Sequence, residues 1–252
     1  MSTLSPRVLK FVCALCAFTL MALAARAEPL MIVTEDLAPY NYLEDGEALG
    51  MSTEVVQAVL EETGQSGDIR FLPWARSYNL ALTRPNTLIY SIARTPERED
   101  LFAWVGQIAP YGASLYKLAD NESVGVQTLE DARHLSVGVY IGDVKEASLK
   151  RHGFDNLSPT EDDRLNLRKL MLGRIDLIAI DDNAIGPLLT EEGINRTQLK
   201  RTVAIDDVSG FLYMAFQKDT DPVLVEMFRQ GLQTIKDEGI HDEILTKYIL
   251  IN

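Results

Sequence analysis

The residues best placed to do chemistry are two arginines in the stretch Ile89 to Asp100, which reads Ile-Tyr-Ser-Ile-Ala-Arg-Thr-Pro-Glu-Arg-Glu-Asp. It begins as an apolar, β-branched and aromatic run, the pattern of a strand. It ends in Thr95-Pro96-Glu97, the grammar of a helix start: a capping hydroxyl, a proline suited to the first helical position and an acid at the positive end of the dipole. Arg98 follows in the same turn. A strand end, a turn of free backbone N–H groups and a fixed guanidinium make a receptor for a carboxylate or phosphate. The alternative is a surface cluster in which Arg94 and Arg98 pair with Glu97, Glu99 and Asp100.

Other recognition features converge on the same end of the chain's strands. Tyr40, Tyr42, Trp74 and Tyr90 fall at, just beyond or on the way to strand C-termini, where open parallel sheets bind ligands. Aromatic walls with a few placed polar groups form small-molecule clefts. For Trp74 and Tyr90 a core position is the competing reading. Pro73-Trp74-Ala75-Arg76 reads as a loop-to-helix junction, which sets Arg76 beside Trp74. Gly142-Asp143 repeats the strand–glycine–helix arrangement and offers N–H groups to an anion. Asp181, just past an apolar strand, is either a carboxylate at the cleft mouth or the cap of the next helix. Enzyme signatures are thin. His134, His152 and His241 are scattered without metal-ligand spacing, so no metal is expected. There is neither a Gly-x-Ser-x-Gly elbow nor a Gly-x-Gly-x-x-Gly fingerprint.

The elements that must position these groups follow from periodicity. Leu30 to Thr34, Ile69 to Leu72 and Leu88 to Ala93 read as strands, alternating with helices from Ser52, as cap, to Gly64 and from Pro73 to Leu82. Glu35 to Gly50 reads as a loop with a turn at Asp45-Gly46. This β-α-β-α-β order predicts a parallel sheet flanked by helices. Phe102 to Val105 and Ser114 to Leu118 are further strands, and Ala119 to Ser123 is the best linker. A second series follows: strand Ser136 to Tyr140, helix Val144 to Arg151, helix Asp162 to Leu172, strand Leu177 to Ile180 and helix Asn183 to Leu189. Phe211 to Phe216 is a strand. Asp221-Pro222 opens a long helix to Glu238, and a last helix covers Asp242 to Tyr248. This ending is expected to return and pack on the first unit.

The N-terminus reads as an export signal. Arg7 and Lys10 precede an uncharged apolar run from Phe11 to Ala25, and Ala25-Arg26-Ala27 is a cleavage pattern. The run is shorter than the roughly 20 residues a membrane span needs. Cleavage after Ala27 leaves 225 of 252 residues and removes both cysteines, Cys13 and Cys16, so no disulfide or thiolate chemistry is expected. It also removes three basic residues and no acids, taking the formal charge from −13 to −16. Such a chain repels nucleic acid and anionic lipid.

Taken in order, these motifs resemble the family 3 periplasmic solute-binding proteins, the polar amino-acid type that feeds ABC transporters. The resemblance is carried by Pro39-Tyr40-Asn41-Tyr42 with its acid–glycine turn and Gly50, Thr95-Pro96-Glu97-Arg98, Val137-Gly138-Val139 with Gly142, and Gly173-Arg174-Ile175-Asp176-Leu177 running to Asp181. It ends with Asp221-Pro222, Lys236-Asp237-Glu238-Gly239 and Lys247-Tyr248. It implies a two-lobe α/β fold of the type II periplasmic-binding class, each lobe a mainly parallel sheet flanked by helices. The expected division is a signal peptide at 1–27, lobe 1 at 28–116 plus 213–252, and lobe 2 at 117–212. It further implies that Arg98 takes a ligand carboxylate, that Asp181 takes an α-ammonium, and that Tyr40 and Trp74 sandwich the side chain. The sequence departs from the family pattern at Ala93, where a hydroxyl residue is usual, and at Gly142-Asp143-Val144, which lacks the usual threonines.

The expected ligand-binding set is Tyr40, Trp74, Arg76, Ser91, Arg98, Gly142, Asp143 and Asp181. The expected role is lobe closure over a small carboxylate-bearing molecule, an amino acid or small organic acid, by a periplasmic monomer without cofactor. The partner beyond the ligand is an ABC permease or a membrane receptor. A dehydratase-like enzyme on the same fold, with Glu35, Asp36 or Asp181 as general acid, is the alternative activity.

Overall fold

The run Leu-Met-Ile-Val-Thr forms β1 (Leu30–Thr34), with every residue buried. The computed structural model describes residues 30–249, so the expected leader and its cleavage point lie outside the described residues. After β1 comes a short hairpin, β2 (Tyr42–Glu44) and β3 (Glu47–Leu49), joined at Asp45-Gly46, both with positive φ. That is the geometry of a tight hairpin turn. Then follow α1 (Met51–Glu62), β4 (Gly67–Phe71), α2 (Trp74–Thr83), β5 (Thr87–Ala93) and β6 (Phe102–Tyr111). Past Gly112 the chain continues as β7 (Ala113–Leu118), α3 (Leu129–Ala132), β8 (Val137–Tyr140), α4 (Val144–Arg151), β9 (Leu157–Thr160), α5 (Asp163–Met171), β10 (Leu177–Asp181), α6 (Ile185–Glu191) and β11 (Leu199–Ala204). It closes with β12 (Gly210–Gln217), α7 (Pro222–Asp237) and α8 (Ile240–Ile249).

Two five-stranded sheets result, ordered β4-β1-β5-β12-β6 and β11-β7-β10-β8-β9. In the first, β1 lies parallel to β4 and β5, while β12 runs antiparallel to β5 and β6. In the second, β8 lies parallel to β10 and β9, while β7 runs antiparallel to β10 and β11. The antiparallel strands are those that flank the passages between sheets. The chain therefore changes sheet at Gly112 and returns across residues 205–209, a few residues before the division expected from sequence. Asp182 N–H, at the end of β10, donates to the Gly112 carbonyl at 2.7 Å, and Ile205 N–H donates to that of Ala113 at 2.8 Å, the latter tying the two passages together. The polar segment 119–123 is a turn on the second lobe, held by Lys117 Nζ on the Asn121 and Val124 carbonyls.

The C-terminal helices return to the first lobe. Phe228 of α7 meets Phe216 of β12 edge-to-face at 5.0 Å between ring centroids, and both are fully buried. Aromatic pairs favour this arrangement. Two expected helix starts differ from the structure. The first helix begins at Met51 after Gly50 (φ 112°), and its leading N–H groups donate to the carbonyls of Pro39 and Tyr40. Ser52 therefore lies inside the helix, buried, its hydroxyl without a partner. Thr95-Pro96-Glu97 opens no α-helix: the Arg98 N–H closes a turn on the Thr95 carbonyl at 3.0 Å, and a single 3-10 turn follows at Glu99–Leu101. Phe102 immediately enters β6, which leaves no length for a helix.

Candidate functional site

Between the lobes lies a cleft of about 1280 Å³, walled by residues of both. Its first-lobe wall comes from the segment after β1, the start of α2 and the end of β5. Its second-lobe wall comes from the loop after β8, the start of α5 and α6.

Arg98 is the central group. It lines the cleft yet is only 8 % exposed. One guanidinium nitrogen donates to the Ala93 carbonyl at 3.2 Å, and the guanidinium lies 5.4 Å from the Trp74 ring and 5.1 Å from the Tyr78 ring. No acidic side chain among the described residues forms an ion pair with it. Arg94 takes the other course that the sequence left open: it pairs with Glu99 through two nitrogens and packs over Trp104 and Tyr213. The turn thus sorts its two arginines, one to the surface and one to the cleft. A buried guanidinium is costly unless it is paired, so a cleft-facing one without a counter-ion is a seat for an anion.

Ser91 also lines the cleft, in the left-handed region (φ 59°) in the middle of β5. The register of β12 slips there, since Tyr213 faces Ile92 and Met214 faces Tyr90, leaving Ser91 unopposed. Its hydroxyl donates to Asn41 Oδ1 at 2.5 Å, and Asn41 Nδ2 donates to the Glu35 carbonyl at 2.6 Å. Bulges of this kind re-aim backbone beside binding sites. Trp74, 4 % exposed, forms part of the wall and donates from Nε1 to the Gly142 carbonyl at 3.2 Å, a bond from lobe to lobe. Arg76, in the first turn of α2, is exposed and does not reach the cleft wall.

The Gly142-Asp143 loop is not free to hold an anion. The Gly142 N–H donates to Glu146 Oε2 at 2.6 Å, and the Asp143 carboxylate accepts from the Val144 N–H and from Lys145 Nζ. The protein's own acids occupy the Gly142 and Val144 N–H groups of this helix start. Lys145, which the sequence reading did not single out, lines the cleft at 5 % exposure, with Tyr111 hydroxyl 3.3 Å from Nζ. Its signal was a lysine in the first turn after the glycine loop, a position that sequence alone does not aim.

Asp181 and Tyr40 meet each other rather than the cleft. The Tyr40 hydroxyl lies 3.0 and 3.1 Å from the two Asp181 oxygens and 3.1 Å from the Pro110 carbonyl, and it accepts from Asn183 Nδ2 at 2.8 Å. Asp181 Oδ1 also accepts the Asn183 and Ala184 N–H groups at 2.8 and 2.9 Å. The carboxylate thus caps the segment leading into α6, the alternative role the sequence allowed. Neither residue is among those lining the cleft.

Most of the remaining charge in the cleft is acidic, set against Lys145, Arg164 and Arg196. Glu35 and Asp36 follow β1, and Asp163 opens α5; all three line the cleft. Burial, and then the charge of Asp143, push the Glu35 carboxyl up to about 8. Burial also lifts Asp163 to about 6, against the pull of Lys145, and Asp181 to about 6. Lys145 acts on Glu35, Asp143 and Asp163, and Arg164 pairs with Asp162 and Glu191, so carboxyl groups outnumber cations at this end of the cleft. The site can therefore hold an anion at Arg98 and a cation at its acidic lining.

Beyond the cleft, Glu97 pairs with Arg151 of α4 at 3.2 Å, and Arg151 in turn with Asp207 in the returning passage. Together with Trp74–Gly142 and Tyr40–Asp181, this describes a closed pair of lobes.

Comparison with known proteins agrees with this architecture. The family model for bacterial extracellular solute-binding proteins, family 3, matches residues 30–251. A probable histidine-binding protein of Campylobacter jejuni is 24 % identical over 221 residues, covering 84 % of this chain and 81 % of that protein. The arginine-binding extracellular protein ArtP of Bacillus subtilis is 22 % identical over 234 residues, covering 87 % and 85 %. Among solved structures, a histidine kinase sensor domain with similarity to periplasmic binding proteins superposes with a TM-score of 0.80 at 18 % identity, covering 89 % of this chain and 97 % of that one. This likeness shows the fold. With nearly all of its described length matched by the family model, the chain belongs to the bacterial extracellular solute-binding proteins of family 3.

Proposed function

We propose that the protein closes its lobes over a small ligand carrying both a carboxylate and a cationic group, a basic amino acid or close relative, and delivers it in the periplasm to an ABC-type permease. The observation that carries the proposal is Arg98: buried, facing the cleft, packed over Trp74 and Tyr78, and in no ion pair with an acid among the described residues. A ligand carboxylate supplies the missing charge. The unbalanced acids Glu35 and Asp163 supply the seat for the cation. The named ligands of the two relatives, histidine and arginine, are of this class. Export is supported by the basic-then-apolar leader ending in Ala25-Arg26-Ala27.

The mechanism is a population shift. Closing buries ligand charges, and only a ligand that pairs them stabilises the closed state over the open one. A panel of L-arginine, L-lysine, L-histidine, polyamines and small organic acids in a thermal-shift screen tests the class. A ligand at 100 times its Kd stabilises the chain by about 2.7 kcal/mol. Stabilisation by polyamines and not by any carboxylate would overturn the Arg98 assignment.

A further inference from the structure

We infer that Tyr40 withdraws Asp181 from ligand recognition and makes it a hinge pin, so that the cleft selects carboxylates with a distal cation whether or not they carry an α-ammonium. The inference rests on the reading of the cleft given above and narrows it. Asp181 pairs in register with Ala113, the residue directly after the Gly112 passage, and the Pro110 carbonyl that shares the Tyr40 hydroxyl lies two residues before it. The Tyr40–Asp181 contact therefore sits almost on the hinge, where opening moves atoms least. Asp181 is 1 % exposed and Tyr40 fully buried. Between them, the Tyr40 hydroxyl and the Asn183 and Ala184 N–H groups engage both carboxylate oxygens.

No acid among the described residues forms an ion pair with Arg98, so none stands beside it to replace Asp181 as an ionic acceptor. Ala93 offers a methyl, and its carbonyl already accepts from Arg98. Ser91 gives its proton to Asn41, which leaves its hydroxyl oxygen only as a neutral acceptor. The Gly142 carbonyl accepts from Trp74. Glu35, Asp36, Asp143 and Asp163 line the cleft from the segment after β1, the loop after β8 and the start of α5 rather than from the Arg98 turn, and Glu35 and Asp163 form the cation seat. Thus an α-ammonium next to the carboxylate gains no ionic partner, whereas a cation several bonds away does. Tyr40 is the residue that sets this preference: a phenyl ring in its place keeps the packing and releases the carboxylate.

Two measurements test this. The first needs no ligand: thermal midpoints of the wild type, Tyr40→Phe, Asp181→Asn and the double variant. The expected result is strong non-additivity, the double variant melting within about a degree of the lower single one, since both substitutions break the same bond. Additive losses would overturn the pin. The second is calorimetry with L-arginine, with 5-guanidinopentanoic acid, which lacks only the α-ammonium, and with agmatine, which lacks only the carboxylate. The wild type is expected to bind the first two within about threefold and agmatine at least about 30-fold more weakly. Tyr40→Phe is expected to favour L-arginine over its deaminated analogue by about tenfold. A wild-type preference of that size, abolished by Asp181→Asn, would overturn the inference while leaving the carboxylate seat intact. Agmatine binding as tightly as L-arginine, or no probe binding at all, would instead remove the reading of the cleft. The thermal cycle would still decide the pin.

Discussion

Glu35 gives the site a pH dependence whose sign follows from its surroundings. Burial and the neighbouring Asp143 lift its carboxyl from the usual 4.5 to about 8 in the closed protein. Between those values the folded chain holds a proton that the unfolded chain has released. Stability of the closed, empty protein therefore falls as pH rises through this window. At about 1.4 kcal/mol per pH unit the ceiling is roughly 4–5 kcal/mol, reduced by solvent in the cleft. A ligand cation beside Glu35 reverses the preference, because it favours the carboxylate. Binding then expels up to one proton per ligand below about pH 8, and affinity climbs with pH by up to about tenfold per unit before levelling above 8. Asp163, lifted to about 6, adds to the climb only below that value. Calorimetry with L-arginine from pH 5.5 to 8.5, in two buffers of different ionisation enthalpy, reads both the slope and the proton release. Glu35→Gln should flatten the profile and abolish the release above pH 6.5. Affinity independent of pH in both proteins would refute the cation seat at Glu35.

Other substitutions probe the scaffold. Gly50→Ala places a Cβ 2.4 Å from the Tyr40 carbonyl oxygen at a backbone φ of 112°, so it should cost on the order of 3 kcal/mol in urea unfolding. Tyr90→Phe removes a buried hydroxyl contact to Thr53 at 3.0 Å and should cost about 1–2 kcal/mol in the same assay. Arg151→Ala removes the surface bridge from Glu97 to Asp207. It should leave the melting temperature almost unchanged and weaken ligand affinity by no more than a few-fold, with the difference vanishing at about 1 M salt.

The alternating β-α architecture was legible because its central strands are long apolar runs: Thr87–Ala93 is buried at every position, and Leu177–Asp181 likewise. Elements without that signal escaped. Tyr42–Glu44 and Glu47–Leu49 are three residues each and half exposed, so only their turn was visible. Leu157–Thr160 contains Pro159 and survives as a strand because it lies at a sheet edge, where a missing donor is tolerated. Arg98 could be singled out from its turn, since the strand end fixes its direction. Lys145 could not, because its burial depends on Asp143 and on Tyr111 from a distant strand. The Tyr40–Asp181 contact joins residues 141 apart, and no local pattern encodes it. The Gly142-Asp143 loop shows the opposite hazard: its helix start was readable, but Glu146 and Asp143 take its Gly142 and Val144 N–H groups.

The central claim is that Arg98 holds a ligand carboxylate in the closed cleft. Its most direct test is calorimetric titration of the protein with L-arginine, beside Arg98→Ala. The expected result is saturable binding by the wild type and a loss of about 2–5 kcal/mol, roughly 30-fold to several thousand-fold, in the variant, with its fold intact. Equal affinity of the two proteins for the same ligand would contradict the account.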